Sequence, residues 1–342
     1  MQLLTHKYQT KMKKLVTVLL ILLITVTSCK DQKKIEYKPE SIGAINSVAV
    51  VMDNELWKGP VGDKVREYFA APVLGLSWEE PLFTINHMGS NVFTGTVRNT
   101  RSVLFVDKDS LDLGHIKTDM YAKPQKVAVI KGRTDEEIIK NLEENAAKII
   151  EAFKSVEITE AQKRFLRSLN KEKVLEDKFG ITLSMPSVYK VGKQEDNFVW
   201  IDRQIPKGVM NIIVYSMPSD SFQNDSTFTK DIVAMRDSIG QKYIPGPDVP
   251  EKVTYMMTEK AFSPYVFPAE IAGKKAVEVK GIWEINGYPM AGPFLTYIIN
   301  DEANDRKLVI EGFTFAPSTE KRDYMFELEA ILKSIKFNKP KK

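Results

Sequence analysis

The sequence predicts an α+β protein with two modules of mostly antiparallel sheet, with helices packed on one face of each sheet and a helical pair joining the modules. Short runs rich in valine and isoleucine are separated by turn residues, which is the pattern of strands. Capping boxes mark the starts of helices between these runs. The chain has 342 residues, more than a single hydrophobic core usually holds, so two domains are expected.

The first module begins with a strand at residues 45–52, a run rich in valine that is typical of a buried strand. Gly59 and Pro60 then open a helix, and Pro72 ends it. Further strands are predicted at residues 82–86, 102–107 and 126–131.

Two capping boxes define the predicted helical pair. Thr134 and Glu137 form the first, in a run of acidic residues that suits the positive end of a helix dipole. Thr159 and Gln162 form the second and predict a new helix there. We place the domain boundary between the two helices, near residue 158.

The second module is predicted to run from strands through a helix to further strands and a final helix. Pro186 ends its first strand, and Asn286-Gly287 is a tight-turn signal between two later strands. The predicted strands are residues 180–185, 198–202, 209–216, 253–258, 276–285, 293–300 and 308–315, and the predicted helices are residues 228–244 and 318–336.

The N-terminal segment has the pattern of a bacterial lipoprotein signal. Two lysines precede an apolar run at residues 15–26, which is too short for a membrane-spanning helix and has the length of a signal peptide's apolar region. Ser28 leads directly to Cys29, the only cysteine. We therefore expect residues 1–28 to be removed and Cys29 to carry the lipid. An ordinary secretory signal with a chance cysteine is the alternative.

The remaining chain divides into three predicted parts. Residues 29–43 are polar and contain a proline, as expected for a tether. An N-terminal α+β domain follows at residues 44–158, and a C-terminal α+β domain at residues 159–342.

Charge and composition exclude several classes of function. The chain has 49 basic and 45 acidic residues, and loss of the four lysines in the predicted signal leaves 45 of each. This balance gives no support for nucleic-acid binding, which usually needs a basic patch. The mature body has no cysteine, which excludes cysteine catalysis, iron–sulfur clusters and thiolate zinc sites.

Aromatic residues beside acids are the candidates for a cleft or partner surface, because such pairs line ligand clefts. Adjacent strand residues point to opposite faces, so we expect burial of one glutamate of the Glu79-Glu80 pair against an arginine, either Arg98 or Arg101. The candidate residues are Asp53, Trp57, Glu79, Glu80, Arg101 and Trp283.

No metal or cofactor site is predicted. After the signal, the only histidines are His87 and His115, and neither has a second ligand at metal-binding spacing. No phosphate-binding glycine loop and no serine in a nucleophile elbow occur.

Several strings resemble an uncharacterised family of envelope lipoproteins from Bacteroidota, defined by a domain of unknown function. They are VVMDNELWKGPVGD (50–63), EEPLF (79–83), MAGPFLTY (290–297) and VIEGFTFAP (309–317). The resemblance implies a cell-envelope address, with the outer membrane favoured, and it supplies no functional residues. The order of elements in the second half is also similar to the PsbP-like fold, whose members mostly bind partners.

The expected function is that of a lipid-anchored envelope protein that binds a protein partner or assists assembly without catalysis. Only one acid stands among three lysines at residues 30–34, which favours the periplasmic face over the cell surface. Two alternatives remain open: a carrier of a small ligand or lipid, and a hydrolase of an envelope polymer that uses carboxylates.

Overall fold

The computed structural model describes residues 37–224 and 226–338. From Pro39 onward the described residues belong to one compact unit. The predicted signal peptide, residues 1–28, and Cys29 lie outside the described residues, as does most of the predicted tether. Within the described ranges, no helix combines the length and the apolar character needed to cross a bilayer.

The α+β class and the two sheet modules are confirmed. The helices of the described residues are α1 Asn54–Lys58, α2 Pro60–Phe69, α3 Asp135–Phe165, α4 Val174–Phe179, α5 Phe228–Tyr243 and α6 Arg322–Leu332. The strands are β1 Ser47–Met52, β2 Thr84–Met88, β3 Ser102–Lys108, β4 Leu113–Thr118, β5 Lys126–Gly132, β6 Ile181–Thr182, β7 Lys190–Glu195, β8 Phe198–Ile205, β9 Gly208–Pro218, β10 Met256–Thr258, β11 Tyr265–Ile271, β12 Lys274–Ile285, β13 Tyr288–Asp301, β14 Arg306–Phe315 and β15 Lys336–Phe337.

The N-terminal sheet has the order β2-β1-β3-β5-β4 and is more parallel than the sequence analysis predicted. Strands β2, β1, β3 and β5 run parallel, and only β4 is antiparallel to its neighbour. Parallel neighbours need a crossover connection, which α1 and α2 supply between β1 and β2. Five consecutive residues of β1 are buried, as expected for a strand covered on both faces.

Helix α3 is one continuous helix of 31 residues where the sequence analysis predicted two. The first predicted start is confirmed, because the backbone N–H of Glu137 donates to Oγ1 of Thr134 at 3.3 Å. The second predicted start is wrong. Oγ1 of Thr159 donates to the carbonyl of Ser155, one turn earlier in the same helix, instead of capping a new one.

The C-terminal sheet has the order β10-β12-β13-β14-β9-β8-β7, with β11 also paired to β12, and is antiparallel throughout. Alternate residues of β9 enter different cores. Ile212 packs in the cluster that holds Leu328 of α6, whereas Ile213 packs in the cluster that holds Ile232 of α5. Helices therefore cover both faces of this sheet, and not one face as predicted.

Helix α3 links the two cores. Ile138 and Phe153 in its first two-thirds pack against the N-terminal sheet, while Ala161 and Phe165 near its end pack in a cluster of the C-terminal module. The two sheets are therefore held by one shared helix. This arrangement brings the segment between α2 and β2 within reach of α6, where the candidate site is built.

Candidate functional site

The six candidate residues do not converge on one place. Asp53 caps α1, where its carboxylate accepts the backbone N–H of Glu55 at 3.3 Å. Trp57 stacks on His87 with ring centroids 4.4 Å apart, and the guanidinium of Arg66 lies 4.4 Å from the Trp57 ring. Nε2 of His87 in turn lies 3.0 Å from the carbonyl oxygen of Met52. These contacts give both predicted residues structural roles at the edge of the N-terminal sheet.

Arg101 forms a buried ion pair with Glu157 of α3. Its Nε and Nη2 atoms donate to the two carboxylate oxygens at 2.9 and 2.8 Å, and both side chains are at most 1% exposed. Nη2 also donates to the carbonyl of Ala44 at 3.0 Å. The prediction that Arg98 or Arg101 binds the buried glutamate of the Glu79-Glu80 pair is therefore wrong. Glu157 follows Phe153 by four residues, so a charge on the apolar stripe of α3 was the available signal.

Glu80 is the buried member of the pair, and its partners are backbone amides. Its carboxylate accepts the N–H of Lys321 at 2.8 and 2.9 Å and the N–H of Arg322 at 2.7 Å. These amides lie at the N-terminus of α6, where a negative charge also interacts favourably with the helix dipole. Nη1 of Arg322 donates back to the carbonyl of Pro81 at 3.0 Å. The segment is thus fixed to the C-terminal module.

The loop of residues 72–79 projects from this attachment. Its base is closed by two backbone hydrogen bonds, from Val73 to the carbonyl of Glu80 and from Leu82 to the carbonyl of Ala71. At its tip Gly75 has a φ of +83°, and a Cβ there would lie 3.0 Å from Cβ of Lys280 on β12. Glycine is therefore required for both the backbone conformation and the close approach to the sheet.

A groove of about 640 Å³ lies between this loop and the connection from β10 to β11. Four of its lining side chains are large, apolar and exposed, and two are acidic. We call these six residues the aromatic groove: Leu74, Trp78, Glu79, Glu259, Phe262 and Tyr265. Phe262 is 77% exposed and Trp78 is 49% exposed, which is unusual for side chains of this size.

Both walls of the aromatic groove are held in place. Nζ of Lys321 lies 4.1 Å from the Trp78 ring and donates to the carbonyl of Thr319 at 2.8 Å. Burial lowers the pKa of Lys321, and the charge of Glu80 acts in the opposite direction. On the other wall, the Glu259 carboxylate accepts the N–H of Phe262 at 3.1 Å. These contacts therefore hold the backbone segments that carry the exposed Trp78 and Phe262 rings.

Trp283 lies next to the groove in sequence but belongs to another cavity. Ile282 and Gly281 line the aromatic groove, whereas Trp283 is 2% exposed and lines a separate cavity of about 290 Å³ with Trp200. Neighbouring strand residues point to opposite faces, which separates the two sites. Of the six predicted residues, only Glu79 lines the aromatic groove, and Glu80 supports it from behind.

The two aromatic residues of the far wall, Phe262 and Tyr265, were not predicted from the sequence. Both stand near Pro264 in a short polar stretch, and nothing in that pattern distinguishes an exposed ring from a buried one. Among the described residues, no group of three or more histidine, cysteine, aspartate or glutamate side chains is placed to hold a metal ion.

Two family models match the chain. Residues 168–334 match a domain of unknown function (DUF4837), and residues 41–166 match a second domain of unknown function (DUF8532). The matched ranges meet next to the end of α3. No curated protein shows significant similarity to the chain.

Proposed function

We propose that the chain, of which residues 41–166 and 168–334 match two domains of unknown function, is a lipid-anchored envelope protein that binds an extended segment of a partner protein. The aromatic groove is the binding surface. Monomeric proteins rarely expose a contiguous set of large apolar side chains unless the patch takes part in an interaction. Tryptophan and tyrosine are also the side chains most enriched among the residues that dominate binding energy.

The unpaired edge of a strand beside the groove favours an extended partner segment. Strand β11 pairs with β12 alone, so its other edge is unpaired within the described residues. Tyr265 opens this strand, and its ring stacks with that of Phe267, which is 37% exposed. A partner strand added to this edge gains backbone hydrogen bonds while its side chains enter the groove.

The charge of the groove supports a basic partner segment. Glu79 and Glu259 flank the aromatic rings, and a lysine or arginine of the partner is attracted by both the carboxylates and the ring faces. We therefore propose an extended segment with apolar side chains and at least one basic residue.

The anchor is the second part of the proposal. It is supported by the apolar run at residues 15–26 followed by Cys29, together with the polar tether. The lysine-rich start of the mature chain favours the periplasmic face of the outer membrane. Lipid attachment keeps the aromatic groove close to membrane-bound partners.

The hydrolase alternative has less support than partner binding. The candidate acids for this activity are Glu79, Glu80 and Asp53, and they have separate roles. Glu79 lies at the groove, whereas Glu80 accepts hydrogen bonds from two backbone amides at the start of α6. Asp53 caps a helix of the N-terminal module. These acids do not face one another across a cleft, which is the arrangement that glycoside hydrolysis needs.

Site-specific photocrosslinking of the full chain in its native envelope tests the proposal. A photoreactive phenylalanine analogue at Phe262 should crosslink one protein, and the crosslinked peptide should contain a basic residue. The same analogue at Leu111, which is 54% exposed on the N-terminal module, is the control. Charge reversal of both acids, Glu79→Lys with Glu259→Lys, should remove the crosslink. Equal crosslinking at both positions, or a product that survives charge reversal, would contradict the proposal.

A further inference from the structure

Another cavity lies where the end of α3 packs on α6, and we infer that it binds a small anionic amphiphile, a molecule with an apolar body and one carboxylate or phosphate group. The cavity has a volume of about 490 Å³, which falls within the range of small-molecule sites. Its lining comes from α3, α6, β8 and the loop segments beside them. We call it the arginine cavity. It shares no lining residue with the aromatic groove.

Half of the lining residues of the arginine cavity are apolar. They are Ile45, Ala161, Phe165, Pro186, Val188 and Phe326. Phe165 and Phe326 are buried, whereas Val188 is 54% exposed. An alkyl chain placed against these side chains gains free energy in proportion to the apolar area that it removes from water. The apolar part of the lining therefore favours a ligand with a hydrocarbon body.

The charged part of the lining has one more positive than negative side chain. The charged residues are Arg164, Arg167, Arg203, Asp323 and Glu327. Both acids already have partners. Glu327 accepts the hydroxyl of Tyr189 at 2.8 Å and an N–H of Arg203, and Asp323 accepts Nε of Arg322 at 2.9 Å. A positive charge is therefore left for a ligand.

Arg167 carries that charge. Its side chain is exposed, and within residues 37–224 and 226–338 its guanidinium has no ion pair and donates no hydrogen bond. Arg164 differs, because Nε donates to Glu160 at 2.8 Å and Nη2 donates to the carbonyl of Gly43 at 3.2 Å. A free guanidinium presents paired N–H groups that match two oxygens of a carboxylate or phosphate.

A pair of hydroxyl groups beside Arg167 adds a further donor. Ser168 lines the arginine cavity, and its Oγ lies 2.7 Å from Oγ of Ser187. This contact uses one of the two hydroxyl protons, so the other is available to a ligand oxygen. The N–H of Ser187 also donates to the carbonyl of Ser168 at 2.8 Å. These contacts hold the segment before any ligand binds, which lowers the entropic cost of binding.

Calorimetric titration of the full chain tests the inference with octanoate, octyl phosphate and octanamide. Octanoate and octanamide have the same length and shape, and only octanoate is charged at neutral pH. We expect octanoate to bind about tenfold more tightly than octanamide, the effect of a charge-assisted hydrogen bond. Acetate, which has the carboxylate without the chain, should bind at least tenfold more weakly than octanoate.

Substitution of Arg167 should remove the preference for the anion. Arg167→Gln should lower the affinity for octanoate about tenfold and leave the affinity for octanamide unchanged. The variant should fold, because the side chain is exposed. Arg133→Gln replaces an exposed arginine of the N-terminal module and should change neither affinity. Arg167→Lys keeps the charge without the planar fork and should retain part of the preference.

A charge placed on the apolar wall locates the binding site. Val188→Asp should weaken octanoate binding more than octanamide binding. Val92→Asp is its control, since Val92 is 55% exposed on the N-terminal module, and should change neither.

If neither octanoate nor octyl phosphate binds more tightly than octanamide, the inference is wrong. Acetate binding as tight as that of octanoate, or equal losses in Arg167→Gln and Arg133→Gln, would also overturn it. Tighter binding of octyl phosphate than of octanoate would support a lipid phosphate as the ligand, and the reverse order would support a fatty acid. Arg167→Gln should leave the crosslink from Phe262 intact, so failure of this inference and failure of the proposed function are distinguishable.

Discussion

The carboxylate of Glu80 accepts the backbone N–H of Lys321 at 2.8 and 2.9 Å, although the two residues are 241 positions apart. No side chain at the N-cap position of α6 performs this role, because Lys321 occupies it. An acid from the N-terminal module therefore caps a helix of the C-terminal module. The loop that carries Trp78 and Glu79 is fixed by the same contact, so the aromatic groove depends on the junction between the modules.

Substitution of Glu80 should destabilise the whole protein. Glu80→Ala leaves buried amides of α6 without an acceptor and should lower the free energy of unfolding by about 1–3 kcal/mol. Glu79→Ala is the matched control, since its side chain is exposed, and should change that free energy by less than about 0.5 kcal/mol. Urea unfolding followed by circular dichroism measures both. Equal effects of the two substitutions would contradict the capping role.

Removal of one charge of the buried Arg101–Glu157 pair should lower the free energy of unfolding more than removal of both charges. Arg101→Met leaves the Glu157 carboxylate buried without a counter-charge and should cost about 3–5 kcal/mol. The Glu157 oxygens also accept the N–H of Asn46 and the hydroxyl of Ser102, both at 3.2 Å. Glu157→Gln in the Arg101→Met background removes the charge and keeps an acceptor, so it should recover part of the loss. A double variant less stable than Arg101→Met would show that the buried charge is not the cause.

Asp301 should make stability depend on pH in the acid range. Burial raises the pKa of Asp301, but hydrogen bonds from Asn304, Arg306 and Lys274 outweigh it and hold the pKa below its ordinary value. Because the pKa in the folded state is the lower one, this stabilisation is present above the unfolded value, about 3.9, and is lost as the pH falls through the folded value.

Urea unfolding midpoints measured from neutral pH down into the acid range test this. Asp301→Asn should flatten the acid end of the stability curve, and Asn304→Ala, which removes one of the three partners, should flatten it by a smaller amount. An unchanged slope in Asp301→Asn would assign the acid dependence to other groups.

Strong local patterns were sufficient for most of the fold. The valine-rich run that became β1 and the capping box at Thr134 were both placed correctly, because burial and backbone capping act on neighbouring residues. Four strands at sheet edges were missed: β4, β7, β11 and β15. β7 is mostly exposed and has no apolar alternation, and β11 contains Pro268, which argues against a central strand but is tolerated at an edge.

The candidate site was harder to predict from the sequence than the fold. The acceptor role of Glu80 and the ion pair of Arg101 depend on residues 241 and 56 positions away, and no local pattern encodes such contacts. The exposure of Phe262 is a property of the folded surface. Only one of Glu79 and Glu80 is buried, as expected, but both lie outside the strands, so the alternation of strand residues does not account for it.

The aromatic groove should contribute to binding and not to folding. Phe262→Ala should change the free energy of unfolding by less than about 0.5 kcal/mol, because the ring is 77% exposed. Introduced together with a photoreactive residue at Tyr265, it should nevertheless abolish crosslinking to the partner. Leu111→Ala, an exposed apolar residue elsewhere, should leave both quantities unchanged. A destabilised Phe262→Ala protein would assign the ring a structural role.

Cys29 should decide whether the protein is anchored. Each buried methylene contributes about 0.8 kcal/mol, and a single acyl chain binds a membrane only marginally, so stable anchoring needs the additional chains of a processed lipoprotein. Tritiated palmitate should label the wild-type chain and not Cys29→Ser. Ser28→Thr, which keeps a small hydroxyl residue before the cysteine, should remain labelled and serve as the control. Wild-type protein recovered in the soluble fraction with an intact, unmodified N-terminus would remove the basis for the envelope address and for a partner found there.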